Sequence, residues 1–207
     1  MRSAPRPPSY HHGDLRQALL TAAATRDPEA LSLRELAQGL GVTAASVYRH
    51  FDNKQALLDE LAARGFDQLR QRFAAAFDPE GPPADVPEAI ERLCRLGEAY
   101  LAFADDEPAL WRLMFGTHAA QYRAAATASG QPSSYDHLPA ALHGLKTCGV
   151  IPQEPQAADV LFAWSAIHGL AALRLGQVPA ARGPVGSVAR DMVHRLVRGL
   201  GGDVKLW

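Results

Sequence analysis

The chain has 207 residues, of which 47% are hydrophobic, 21% charged and 7% aromatic, and its 21 Lys plus Arg against 22 Asp plus Glu leave a net charge of -1. This length suits one middling domain or a small domain fused to a larger one, and an apolar content near half excludes disorder as the main state. The near-neutral balance excludes a uniformly basic coat for nucleic acid but not a local basic head on an acidic body. Two cysteines, Cys94 and Cys148, exclude a disulfide-rich scaffold, and no CxxC or Cys/His pair has zinc-finger spacing. No apolar run of about 20 residues predicts a membrane span, and MRSAPRPPSYHHGDL lacks the apolar middle of a signal peptide. The expected compartment is the cytoplasm, with no membrane partner.

Ala and Leu dominate, β-branched runs are absent, and apolar residues recur at helical spacing, so the fold class read from sequence is all-α. Gly/Pro clusters at 78–87, 129–134, 149–155 and 176–184 punctuate about nine helices. In chain order these are expected at 14–25, 33–39, 44–50, 53–77, 86–105, 107–128, 134–148, 155–176 and 184–200. The first three are short. The fourth, at 1.5 Å per residue, would be roughly 37 Å long, with Asp52 or Asn53 available to cap its start. The pattern implies a small head, residues 1–58, linked by this long helix to a larger body, residues 59–207. One undivided bundle is the simpler alternative.

Residues 32–51, SLRELAQGLGVTAASVYRHF, have the layout of a helix-turn-helix. Ser32 and Glu35 have capping-box spacing, and Leu33, Leu36, Ala37 and Leu40 share a face. Gly41 stands where a tight turn needs positive φ, Val42 can plug the turn, and Thr43 can cap a second helix that turns Val47 and Phe51 inward. The other face of that helix holds Thr43, Ala45, Ser46, Tyr48, Arg49 and His50, without a carboxylate. Short side chains near base edges and donors near phosphates are what a major-groove helix needs. Tyr48 is open to two readings, core packing or a hydroxyl donated to phosphate. Lys54 opposes the dipole of its own helix, so it is read as a phosphate contact or a solvated lysine. Arg34 completes the candidate set. An ordinary helical hairpin would show similar spacing.

The segment LSLRELAQGLGVTAASVYRHFDNKQALLDEL, residues 31–61, resembles the TetR family of transcriptional regulators, most specifically from Gly41 to Lys54. The resemblance implies that Thr43, Ala45, Ser46, Tyr48, Arg49, His50 and Lys54 face double-stranded DNA, with Tyr48, His50 and Lys54 on phosphates. AYLAFADDEPALWRLMFG (99–116) and AWSAIHGLAAL (163–173) resemble the branch whose C-terminal domain is named for a Trp-His-Gly motif, here Trp164, His168 and Gly169. Family members carry about four more residues between ALLTAA and PEALSLRE, so the first helix reads as one turn short. Its face of Leu15, Leu19 and Ala22 keeps helical phase.

The body concentrates large groups that serve either as core or as an apolar effector pocket with polar points. The pocket candidates are Tyr100, Phe103, Trp111, Met114, Phe115, His118, Tyr122, Trp164 and His168. The last two helices carry Val160, Ile167 and Ala171, then Val188, Met192 and Leu196. The resemblance implies that these pair two copies into a homodimer, whereas closing the monomer core is the plainer role. Two heads on successive major-groove faces about 34–36 Å apart would read a pseudo-palindrome. The whole reads as a regulator, most simply a repressor, released by a largely apolar small molecule. No GxSxG, HExxH, P-loop or GxGxxG indicates an enzyme, and no cofactor or metal site is expected. A helical interaction protein that does not bind DNA, or a small-molecule-converting enzyme, are the competing classes. Charge divides in keeping with a DNA-binding head: residues 1–58 hold seven basic and five acidic groups, whereas residues 78–107 hold nine acids and two arginines.

Overall fold

A computed structural model describes residues 12–77, 81–116, 119, 122 and 136–202. Nine α-helices and one 3-10 turn occur among the described residues, and no strand. They are α1 (His12–Ala24), α2 (Leu33–Gly39), α3 (Ala44–Tyr48), α4 (Lys54–Ala76), α5 (Val86–Asp106), α6 (Pro108–Phe115), α7 (His137–Thr147), α8 (Ala157–Leu175) and α9 (Val185–Gly199). The all-α expectation holds. The helix expected over 107–128 is described as α6 only as far as Phe115, and most of its remainder lies outside the described residues.

The chain forms two compact units whose boundary differs from a division at residue 58. The first takes residues up to Gly65 together with 107–129, so α6 belongs with the head; the second takes 66–106 and 130–207. The helix α4 contributes to both.

In the first unit, α1 turns Leu15, Leu19, Leu20 and Ala23 into a core shared with Leu36, Val47, Phe51, Leu57 and Leu61. Burial of Leu20 and Ala23, with Ala22 half-buried, places the buried stripe slightly around the helix from the expected one. The α2–α3 turn forms as its sequence requires. Gly41 has φ of 67°, and the N–H of Val42 reaches back to the carbonyl of Ala37 at 3.0 Å. Thr43 caps α3 by accepting the Ser46 N–H at 3.2 Å. Asn53 caps α4 by accepting from the Ala56 N–H at 2.9 Å. The expected Ser32 side-chain cap does not form. The Ser32 carbonyl starts the helix by accepting the Leu36 N–H at 3.0 Å. Close packing of α4 on α6 depends on Gly65, because a Cβ there would lie 2.4 Å from Met114 Sδ and 2.9 Å from Leu110 Cγ.

In the second unit α5 is the central helix, packed by α7, α8 and α9. Tyr100, Leu101 and Phe103 of α5, Leu142 and Leu145 of α7, Ala171 of α8 and Ala189 of α9 are all buried. Arg92 is buried as well, matched by Glu88 at 2.6 Å and by the Gly81 carbonyl at 2.8 Å. The start of α8 is fixed by Asp159, whose carboxylate accepts the Gln156 N–H at 2.8 Å. By length and mean hydropathy alone, α8 is apolar enough to cross a membrane, which the sequence reading did not expect. Its own unit leaves Leu161 at 64%, Phe162 at 50% and Leu173 at 50% exposure, so monomer packing does not account for its apolar character.

Candidate nucleic-acid interface and effector pocket

The residues of α3 divide cleanly between core and surface. Val47 is fully buried, while Thr43, Ala45 and Arg49 are exposed and Ser46 is half-buried. Tyr48 is 46% exposed, so its ring is not packed in the core of the chain. The hydroxyls of Thr43 and Ser46 lie 2.9 Å apart, and Arg49 Nη2 reaches Ser46 Oγ at 3.4 Å. These polar groups are thus held as a preorganised cluster on a short helix. Arg34 on α2 is exposed, and His50 is half-buried.

Two arginines outside the motif hold this surface in place. Arg16 of α1 donates through Nη1 to the His50 carbonyl at 3.0 Å and pairs through Nη2 with Glu60 of α4. Its guanidinium also stacks over the Phe51 ring, 4.8 Å from the centroid. Arg64 donates to Gln17 at 2.6 Å and to Glu60 at 3.0 Å. Glu60 therefore ties α1 to α4, and Arg16 links that pair to the end of α3. Sequence reasoning missed both residues, since the contacts of Arg16 with His50 and Glu60 and of Arg64 with Gln17 each join positions more than 30 apart; only Arg64–Glu60 is local. Lys54 likewise has a structural partner: its Nζ donates to the Glu29 carbonyl at 2.8 Å. That bond explains a lysine at the start of α4 without invoking phosphate.

The pocket candidates fall into two groups. Tyr100 and Trp164 line a cavity of about 50 Å³ within the second unit, with Leu96, Gly97, Ile167 and Met192 among its other walls. Tyr100 is buried, its hydroxyl 2.7 Å from His168 Nδ1, and its ring meets Trp164 edge-on at 5.2 Å. Of this pair Tyr100 lines the otherwise largely apolar cavity, whereas His168 stands behind it and is not among the walls. Phe103 is buried in the same unit beneath the Arg72 guanidinium. Trp111 and Met114 are buried in the first unit, where Phe115 rests against Trp111 at 5.4 Å. Tyr122 is buried there too and lines a separate cleft. His118 lies outside the described residues.

Of the interface candidates, Ala171 and Leu196 are buried within the second unit, and Val160, Ile167, Val188 and Met192 are half-buried. Ile167, Met192 and Leu196 line the small cavity, so their apolar stripe faces α5. The apolar face left outward is Leu161, Phe162 and Leu173. Phe162 leans over Gly199 of α9, where a Cβ would be 3.4 Å from its ring. Among the described residues no group of three His, Cys, Asp or Glu is placed to hold a metal ion.

Two family models match the chain. One, described as bacterial regulatory proteins of the tetR family, covers residues 16–61. The other, described as a tetracyclin repressor-like C-terminal domain, covers residues 93–200. A solved structure of a protein with unknown function from Rhodococcus sp. RHA1 is 32% identical, with a TM-score of 0.70 over 92% of this chain and 97% of that one. Nucleoid occlusion factor SlmA of Vibrio vulnificus is 32% identical over 86 residues, 42% of this chain and 41% of SlmA. HTH-type transcriptional repressor KstR2 of Mycobacterium tuberculosis is 30% identical over 73 residues, 35% of this chain and 36% of KstR2. The matched stretch thus spans about two fifths of the length of these curated relatives.

Proposed function

The chain belongs to the TetR family of bacterial regulatory proteins, and we propose that it acts in the cytoplasm as a ligand-responsive repressor that binds a pseudo-palindromic operator as a homodimer. The observation that carries this reading is the α3 surface: an exposed helix face with Ser46, Tyr48 and Arg49 and no carboxylate, capped by Thr43. Thr43, Ala45 and Ser46 are short enough for base edges. Tyr48, Arg49, His50, Arg34 and Lys54 are donors suited to phosphates. Lys54 serves both roles if its ammonium keeps one proton on the Glu29 carbonyl and directs another outward.

The homodimer reading rests on α8. Leu161, Phe162 and Leu173 form an outward apolar strip on a helix with few charges, which a second copy would cover. The acidic stretch at 78–107 would be repelled by DNA and helps orient the approaching dimer.

The effector site is assigned to the cavity at Tyr100 and Trp164, which belongs to the part of the chain that resembles the Trp-His-Gly branch. Its volume of about 50 Å³ is far below the ~300–1,000 Å³ of drug-sized sites. An effector must therefore push side chains aside, Met192 most easily because it is unbranched. Differential affinity for the expanded and closed states then supplies the coupling. A hundredfold loss of operator affinity requires about 2.7 kcal/mol. The contact of Gly65 with Leu110 and Met114 is the junction at which movement of α6 would act on α4.

The direct test is fluorescence anisotropy of labelled duplex DNA at two salt concentrations. Binding should weaken steeply with salt, and Arg49→Ala should reduce affinity with the fold intact by circular dichroism. Salt-insensitive binding, or none, would contradict the reading.

A further inference from the structure

The first unit holds a half-open cleft of about 640 Å³ that the effector role leaves unused and that shares only Lys54 with the proposed operator surface. That volume is already in the range of ~300–1,000 Å³ expected of small-molecule sites, whereas the cavity of the second unit is not. The lining of the cleft is mixed in chemistry. Pro28, Leu58 and Leu113 are apolar. Arg112, in the last turn of α6, and Lys54, in the first turn of α4, are basic.

The charged groups are not equivalent. Asp27 accepts the Glu29 N–H at 2.9 Å, so its carboxylate closes the turn after α1. Lys54 is tied to the Glu29 carbonyl. The Tyr122 hydroxyl is engaged by Gln55 at 3.3 Å. The Arg112 guanidinium has no ion-pair or hydrogen-bond partner among the described residues, and the residue is exposed and lines the cleft. Its planar fork is therefore open to a bidentate acceptor. Asp27 and Glu29 also line the cleft, so it carries two carboxylates beside its two basic groups.

We propose that this cleft is a ligand site in the head unit for an amphipathic organic anion, whose carboxylate or sulfonate pairs with Arg112 while its apolar part lies on Leu58 and Leu113. Binding there needs no DNA and no expansion of the second cavity.

The test uses the full-length protein without DNA. Isothermal titration with sodium decanoate is compared with decylamine, and displacement of the fluorescent sulfonate 1-anilinonaphthalene-8-sulfonate by decanoate serves as a second readout. Saturable decanoate binding is expected, and Arg112→Ala should weaken it about 10-fold or more. Arg112→Lys should fall between wild type and Arg112→Ala, because a point charge still attracts the anion but cannot form the bidentate pair. Ala163→Leu, which fills the cavity of the second unit, should leave it unchanged. Equal binding by wild type and Arg112→Ala overturns the proposal, as does loss of binding in Ala163→Leu alone. Absence of saturable binding, or tighter binding of decylamine, overturns it as well. Arg112 is exposed, so its replacement leaves the core of the unit intact.

Discussion

Replacing Gly65 with alanine should destabilise the protein, although glycine-to-alanine changes inside helices ordinarily stabilise by about 1 kcal/mol. The added Cβ would stand 2.4 Å from Met114 Sδ and 2.9 Å from Leu110 Cγ. Comfortable contact needs about 3.5–4.0 Å, so α6 or its side chains must retreat by roughly 1 Å. Neither neighbour has room, since Met114 is fully buried and Leu110 nearly so. Overpacking costs about 1–3 kcal/mol, and a contact this short belongs to the upper half, about 2–3 kcal/mol; less the helix-propensity gain of about 1 kcal/mol, the net loss is about 1–2 kcal/mol. Urea unfolding at fixed protein concentration reads it. With a slope of about 2 kcal/mol per molar, the middle of the usual range, the midpoint should fall by roughly 0.5–1 M. Combining Gly65→Ala with Met114→Ala should show favourable coupling of at least ~0.5 kcal/mol, because the new methyl occupies space the methionine vacates. A Gly65→Ala protein as stable as wild type, or more so, would refute the claim that α6 packs on α4 through this glycine.

Gly97→Ala should have the opposite sign. A Cβ there would meet Ala189 Cβ at 3.6 Å and Ile167 Cδ1 at 3.7 Å, ordinary contacts, so helix propensity prevails and stability should rise by up to ~1 kcal/mol in thermal unfolding. Lys54→Ala should weaken binding to all DNA sequences alike and lower the salt slope by about 1, read by anisotropy; a changed sequence preference would count against a phosphate contact. Burial holds the pKa of His137 below its usual value, against the edges of Phe73 and Phe77. The folded state therefore favours the neutral ring, and stability should fall as pH drops through the unfolded-state value near 6.5. In His137→Phe that loss between pH 7 and 5.5 should shrink. Burial also raises the Cys94 thiol to about 11, so Cys94 should resist alkylation at pH 8 until the protein unfolds, as mass spectrometry would show.

The recognition motif was the most legible part of the chain because its signals are local. A turn glycine, a threonine cap and an apolar residue at Val47 fix α2, α3 and their crossing from within a few residues. The supports of that motif were not legible. Arg16 and Arg64 carry no local signal of their role, and only the fold brings Arg16 to Glu60 and the His50 carbonyl and Arg64 to Gln17. The bond of Lys54 was hidden for the same reason, since its partner is a backbone carbonyl 25 residues earlier. In α8 the difficulty is different. The helix is apolar nearly all round, so periodicity could not say which stripe lines the core and which faces outward. Ile167 and Ala171 turned inward, and Leu161, Phe162 and Leu173 outward. The pocket candidates divided because α6, adjacent in sequence to α5, packs with the first unit.

The central claim is that two copies of this chain read DNA as a symmetric pair. Selection of bound sequences from a random duplex pool, carried out at two salt concentrations, tests it most directly. The account predicts recovery of a pseudo-palindrome whose half-sites lie one helical turn or a multiple of it apart, sharpening at the higher salt. Enrichment of no motif, or of a single unrepeated half-site, would contradict it.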